Sequence, residues 1–147
     1  MLKKMSALFL SFLLIGVIAH AEEKFSLSGE VSFQYDGDIY ICLYTQDEFL
    51  DYQKLSLSRP QCQRVRMNSD LKKEGKVSFK FDSIPKGTYC IITFQDVNMN
   101  QNIDIVGFTT SEPRGSYKEQ ISPMVELVWN EIKFDLERDL KDIKIQM

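Results

Sequence analysis

Histidine is almost missing from this chain. The single one is His20, and it lies in a stretch that reads as a removable leader. Without histidine beyond that point there is no Ser-His or Cys-His nucleophile pair, no His-ligated zinc and no near-neutral proton shuttle. Cysteine is scarce too. Cys42, Cys62 and Cys90 are the three in the sequence, and no two are spaced Cys-x-x-Cys, which argues against redox-active or zinc-ribbon chemistry. No Gly-rich phosphate loop and no Gly-x-Ser-x-Gly elbow occurs. Positive charge is not in excess: 18 basic residues face 21 acidic ones, a net charge of −3, which argues against a nucleic-acid partner. The basic stretches 59–66 and 72–76 are interrupted by polar or acidic residues and read as solvated faces.

Residues 1–21 carry the features of a secretory signal peptide. Lys3 and Lys4 form a basic start, Met5 to Ala19 an apolar middle, and Ala19-His20-Ala21 a small-residue cleavage site. The apolar run is shorter than the roughly 20 residues of a spanning helix, and no cysteine follows it to take a lipid. Cleavage after Ala21 leaves 126 residues and, because the leader takes two lysines with it, a net charge of −5. That length suits one domain, 22–147, with a real core. The expectation is an exported protein, periplasmic or secreted, with no membrane span after cleavage. In such a compartment one disulfide and one free thiol are expected. Cys42–Cys62 is the first choice, because it closes a long loop and constrains the unfolded chain by about 3 kcal/mol. Cys62–Cys90, Cys42–Cys90 and three thiols stay open.

Along the mature chain the dominant signal is period two. Phe25, Leu27, Gly29, Val31, Phe33 and Tyr35 alternate with polar neighbours, a half-buried strand. Asp36-Gly37 suits a tight hairpin turn. Ile39 to Tyr44 is apolar on both faces, as in a central strand covered on both sides. Thr45 and Glu48 match a capping box and predict a short helix over 46–52. Residues 62–67 are a modest strand candidate, 68–75 a polar turn. Val77, Phe79 and Phe81 alternate again; Ile84 to Gly87 turn the chain; Tyr89 to Phe94 is strand. After an Asp/Asn loop, 103–108 is a short strand and 109–122 an irregular loop. Ile132, Phe134 and Leu136 alternate on one strand, Ile143, Ile145 and Met147 on the last. Seven to eight short strands with one minor helix predict an all-β, antiparallel β-sandwich, with a closed barrel as the alternative.

The loop after Phe94 carries the best candidate for chemistry. Asp96, Asn98, Asn100, Asn102 and Asp104 recur at every second position, a spacing that can wrap oxygens around a hard cation. Counted from Asp96 as the first position of a calcium loop, Asn98 falls third, Asn100 fifth, Asn102 seventh through its carbonyl, and Asp104 ninth. The twelfth, Gly107, supplies no bidentate carboxylate, and no helices flank the loop, so this is not an EF-hand. Glu112 is left to fold back and complete the shell. Two carboxylates predict weak calcium binding, with Kd on the order of 10⁻⁴–10⁻³ M. The competing reading is that Asn and Asp build the turn through side-chain-to-backbone hydrogen bonds.

Phe81 to Tyr89 (FDSIPKGTY), Gln95 to Asn100 (QDVNMN), Asp104, Gly107 and Glu112-Pro113 resemble a bacterial family, domain of unknown function 2141. Its members carry a strand, an lPxGxYA turn, an HDxNxNgxlD loop, a GxPxE loop and a late FxxaxF segment, for which Trp129, Ile132 and Phe134 stand here. Gln95 replaces the usual His and Gln101 the usual Gly. The resemblance spans nearly the whole mature chain and is specific over 81–112. It implies export and a transthyretin-like or carboxypeptidase-regulatory-like β-sandwich. It implies no reaction.

Other candidates are weaker. Trp129 with Tyr35, Tyr40, Tyr44, Tyr52, Tyr89 and Tyr117 offers aromatic surface for sugar stacking, but strands use aromatics mainly for packing. Tyr117, in a polar loop, is the least explained by packing. Asp47, Glu48 and Asp51 read as a solvated helix face. The leading expectation is a non-enzymatic envelope module that binds a protein partner or glycan, with calcium stiffening one end. A structural envelope protein with no ligand comes next, and a hydrolase using two carboxylates last.

Overall fold

The computed structural model describes residues 22–49, 61–101, 104–106, 109–118 and 128–147. The leader, residues 50–52 of the expected helix, the loop 56–60, Asn102, Gly107 and the end of the expected loop 109–122 lie outside them.

Strand β1 (Lys24–Ser32) and strand β2 (Asp38–Tyr44) follow each other in sequence but not in space. Helix α1 (Gln46–Phe49), β3 (Cys62–Val65), helix α2 (Ser69–Glu74), β4 (Lys76–Pro85) and β5 (Gly87–Asp96) come next. Then come β6 (Ile105–Val106), β7 (Thr109–Thr110), β8 (Arg114–Ser116), helix α3 (Trp129–Ile132), β9 (Phe134–Leu136) and β10 (Leu140–Gln146). One sheet has the order β10-β1-β4; the other runs β3-β2-β5-β8, with β9 also paired to β5. β6 and β7 form a separate two-stranded ladder. The eight strands of the two main sheets make the expected sandwich-like architecture.

Alternation puts the apolar residues of both sheets into the space between them. Leu27 and Val31 from β1, Phe79 and Phe81 from β4, and Ile143 and Ile145 from β10 meet Ile39, Ile41 and Leu43 from β2 and Ile91 from β5. Burying each such side chain contributes about 1.5–3 kcal/mol. β2 is buried at every residue, as its two-sided apolar pattern predicts. Its other face, Tyr40, Cys42 and Tyr44, packs with Cys90, Ile92 and Phe94 of β5 under Phe49 of α1 and Ile132 of α3. The sheets also meet at their margins: the Gln63 amide donates to the Lys80 carbonyl, and Gly115 lies against β10 so closely that a Cβ would sit 2.5 Å from the Gln146 carbonyl oxygen.

Several expectations need correction. The sandwich is not purely antiparallel, since β1 pairs with β10 in parallel, and it does not reproduce the transthyretin arrangement in detail. Asp36-Gly37 closes no hairpin: β1 pairs with β4 and β10 while β2 pairs with β3 and β5, so the dipeptide carries the chain from one sheet to the other. Among the described residues there are three short helices rather than one. Residues 68–75 form a capped helix: Asn68 accepts from the Asp70 and Leu71 amides, and Gly75 takes a left-handed φ of 64° at the C-terminal end, as helix-stop chemistry favours. Ile132 ends α3 rather than opening a strand, and 114–116, read as loop, is a buried strand. The capping box is present, with the Thr45 amide 2.9 Å from Glu48 Oε2.

Candidate functional site

Strand β5 ends at Asp96, whose side chain is fully buried. There the carboxylate turns the chain. Oδ1 accepts the Asn100 amide at 3.0 Å and Oδ2 the Gln101 amide at 2.8 Å. Asn98 Oδ1 accepts the Asn100 amide as well, at 3.1 Å, the local bonding that makes Asn a turn residue. Met99 and Gln101 take left-handed φ values of 62° and 63°, each costing roughly 1 kcal/mol for a side-chain-bearing residue. Gln101 therefore does the bending for which glycine is better suited.

Asp104 closes the loop from the other side. It accepts two hydrogen bonds from the side-chain NH₂ of Asn100, at 2.9 and 3.0 Å, and another from the side-chain NH₂ of Asn98. Glu112 folds back onto the same loop. Its Oε1 takes the Val97 amide at 2.8 Å and its Oε2 the Asp104 amide at 3.4 Å. Burial pushes the Glu112 carboxyl above its ordinary range, against the pull of the backbone N–H groups it accepts, and the charge of Asp96 adds to the rise. Four of the five residues of the expected ion site thus share one loop, and Asn102 lies outside the described residues. Among the described residues no three Asp, Glu, His or Cys side chains converge as a metal-binding group. The donor set is two loop carboxylates with two side-chain amides.

Gln95 contributes something the sequence did not reveal. Fully buried on the opposite face of β5 from Asp96, it donates to the carbonyls of Tyr35 at 2.5 Å and Gly37 at 3.4 Å. It pins the crossover between the sheets against the base of the loop. Gly37 has to be glycine there: its φ is 138°, and a Cβ would lie 2.3 Å from the Asp96 carbonyl oxygen.

The aromatic candidates disperse. Tyr40 stacks on Phe94 with centroids 4.6 Å apart, Trp129 packs against Phe49, and the Tyr89 hydroxyl donates to the Pro85 carbonyl at 2.9 Å. Tyr44 is buried, Tyr35 is exposed, and Tyr52 lies outside the described residues. Tyr117 meets Phe134 edge-on at 5.3 Å and has the Lys118 ammonium 5.2 Å over its ring. Glu48 is committed to the α1 cap, so it does not form an acid pair with Asp47; Asp51 is not described. The Cys42–Cys62 disulfide is formed and Cys90 is a buried free thiol. Among the described residues no helix is long and apolar enough to cross a membrane.

No curated protein and no solved structure matches the chain. A family model does match, over residues 32–144, from the end of β1 through most of β10. The chain belongs to the domain of unknown function 2141 family, described as an uncharacterized protein conserved in bacteria.

Proposed function

We propose that the chain is an exported, non-enzymatic binding or accessory module of the cell envelope, and that its Asp96–Asp104 loop takes a calcium ion weakly. One observation carries the ion: Asp96, Asn98, Asn100 and Asp104 are drawn together in a single loop by their own side chains. The two amides turn their NH₂ groups toward the Asp104 carboxylate. Rotating each amide by half a turn presents an oxygen instead; the Asn98 rotation gives up its bond from the Asn100 backbone N–H, which Asp96 still accepts, and a cation then replaces the NH₂ groups as the positive partner of Asp104. Asp96 accepts two backbone N–H groups and keeps further lone pairs for an ion. The leader and the absence of histidine from the remainder support the exported, non-enzymatic part of the reading.

Thermal melting with calcium and with chelator tests the ion. At a free calcium about 100 times a Kd of 10⁻⁴ M, the bound form gains about 2.7 kcal/mol. The melting midpoint should rise accordingly, and the rise should vanish in Asp104→Asn, which keeps an acceptor but loses the charge. Identical midpoints at millimolar calcium and in chelator remove calcium from the proposal.

A further inference from the structure

A second surface lies well away from the loop. Along the edge of β5 that β2 leaves free, β9 pairs with Gly87 to Tyr89 and β8 with Ile92 to Phe94. Where these two short strands meet, the chain leaving β8 and the turn from β9 to β10 enclose a groove of 740 Å³, within the range of small-ligand sites. Tyr117, Phe134 and Leu140 line it with apolar surface, and Lys118, Lys133 and Arg138 bring positive charge. Tyr89 and Asp96 are seven residues apart on β5, about 23 Å at the rise of a strand, so the groove and the Asp/Asn loop are separate places.

The charges of the groove are not evenly committed. Its two acids are engaged elsewhere: Asp135 accepts the Thr88 hydroxyl at 2.7 Å, and Glu137 pairs with Lys86 at 3.2 Å. Among the described residues, no carboxylate pairs with Lys118, Lys133 or Arg138. Three exposed cations around one concavity are unusual in a chain whose net charge is −3. They favour an anionic group, and Arg138 suits the flat two-oxygen edge of a carboxylate or phosphate. The acids limit how much negative charge the ligand carries: a polyanion such as nucleic acid would meet Asp135 and Glu137 along its length. A ligand with one negative group and several hydroxyls meets no such conflict, since each carboxylate accepts a hydroxyl proton.

We propose that this groove binds an acidic saccharide, a sugar unit bearing a single carboxylate or phosphate, through Lys118, Lys133 and Arg138 beside the Tyr117 ring. The proposal rests on the reading of the chain as a binding module and does not depend on calcium.

Isothermal titration of the purified protein with galacturonate, glucose 6-phosphate, neutral maltotriose and inorganic phosphate tests it. At least one of the two acidic saccharides should bind saturably, in chelator as well as in calcium, and more weakly as salt is raised. Maltotriose and inorganic phosphate should bind far less. Which acidic saccharide binds identifies the anion. Lys133→Ala and Arg138→Ala should each weaken binding about tenfold, and because both side chains are exposed the variants should melt like the parent. No saturable binding of either acidic saccharide up to ~10 mM, binding untouched by both variants, or inorganic phosphate binding as tightly as the sugar would overturn the proposal. A calcium-dependent melting shift without saccharide binding leaves the loop standing and removes the groove; the converse result does the reverse.

Discussion

The Glu112 carboxylate accepts the backbone N–H of Val97 at 2.8 Å, across fifteen residues of chain. The end of β5 and the segment entering β8 are therefore tied by one buried acid. Burial raises its proton affinity above the ordinary carboxylate value of 4.5. A raised carboxyl favours the protonated form in the folded chain. The stability this supplies is complete below 4.5 and is lost as pH rises through the folded value. Urea unfolding of the parent and of Glu112→Gln isolates the effect. The stability of the parent relative to the variant should fall as pH rises above 4.5 in chelator. Calcium should flatten that fall if the ion takes up the charge. A pH-independent difference in chelator would show that Glu112 titrates normally.

Asp38 behaves in the opposite sense. Burial pushes its carboxyl up, but the Met67 amide and the Arg64 guanidinium more than offset this and hold it below its usual 3.8. The bonds are short and specific: Arg64 Nε at 2.8 Å and the Met67 amide at 2.9 Å. Stability from a lowered carboxyl is present above 3.8 and lost as pH falls below it. Asp38→Ala should cost about 2 kcal/mol at neutral pH, and the gap between parent and variant should close in acid. The same side chain holds the segment that leads into α2, so the amides of residues 68–74 should exchange faster in the variant.

Gly29 lies where β1 and β10 run parallel. A Cβ there would sit 2.2 Å from the Ile143 carbonyl oxygen and 2.7 Å from the Ile143 Cβ, both closer than real contacts. Backbone, not a flexible side chain, is in the way. Gly29→Ala should push β10 off β1 and destabilise the fold by about 1–3 kcal/mol or more. Hydrogen exchange should locate the loss on β10 and β1. A parent-like unfolding midpoint would mean that the two strands do not approach so closely.

That parallel contact also marks what a single sequence conceals. Period two identified β1 and β4, and an unbroken apolar run identified β2, because a half-buried and a fully buried strand each leave a mark on their own residues. It is silent on which strand lies beside which, and in which direction, so the β1–β10 pairing and the sheet change at Asp36-Gly37 were not legible. β8 was missed because Arg-Gly-Ser offers three residues and no apolar alternation; pairing with Phe94 makes it a strand. The helix at 69–74 was legible in retrospect, from Asn68 before it and Gly75 after it. The Asp96–Asp104 loop could be read because its residues are neighbours in sequence. The basic groove could not, because the topology alone brings Tyr117 and Lys118 to Lys133 and Arg138.

The cysteines give a further test that needs no ligand. Cys42 and Cys62 face each other across β2 and β3 and close a span of twenty residues. Replacing both by Ser should lower stability by about 3 kcal/mol through the freer unfolded chain, with β3 the first strand to lose exchange protection. Cys90 is fully buried in the same cluster, and burial, with a smaller contribution from the Glu48 charge, pushes its thiol up to about 12. At neutral pH it is therefore neither ionised nor reachable. Without reductant, a maleimide should label no cysteine in the folded protein and one in denaturant, and mass spectrometry should place that label on Cys90. Labelling of Cys42 or Cys62 in the oxidised protein would mean a different pairing, and rapid native labelling of Cys90 would mean that the face of β5 opposite the core opens to solvent.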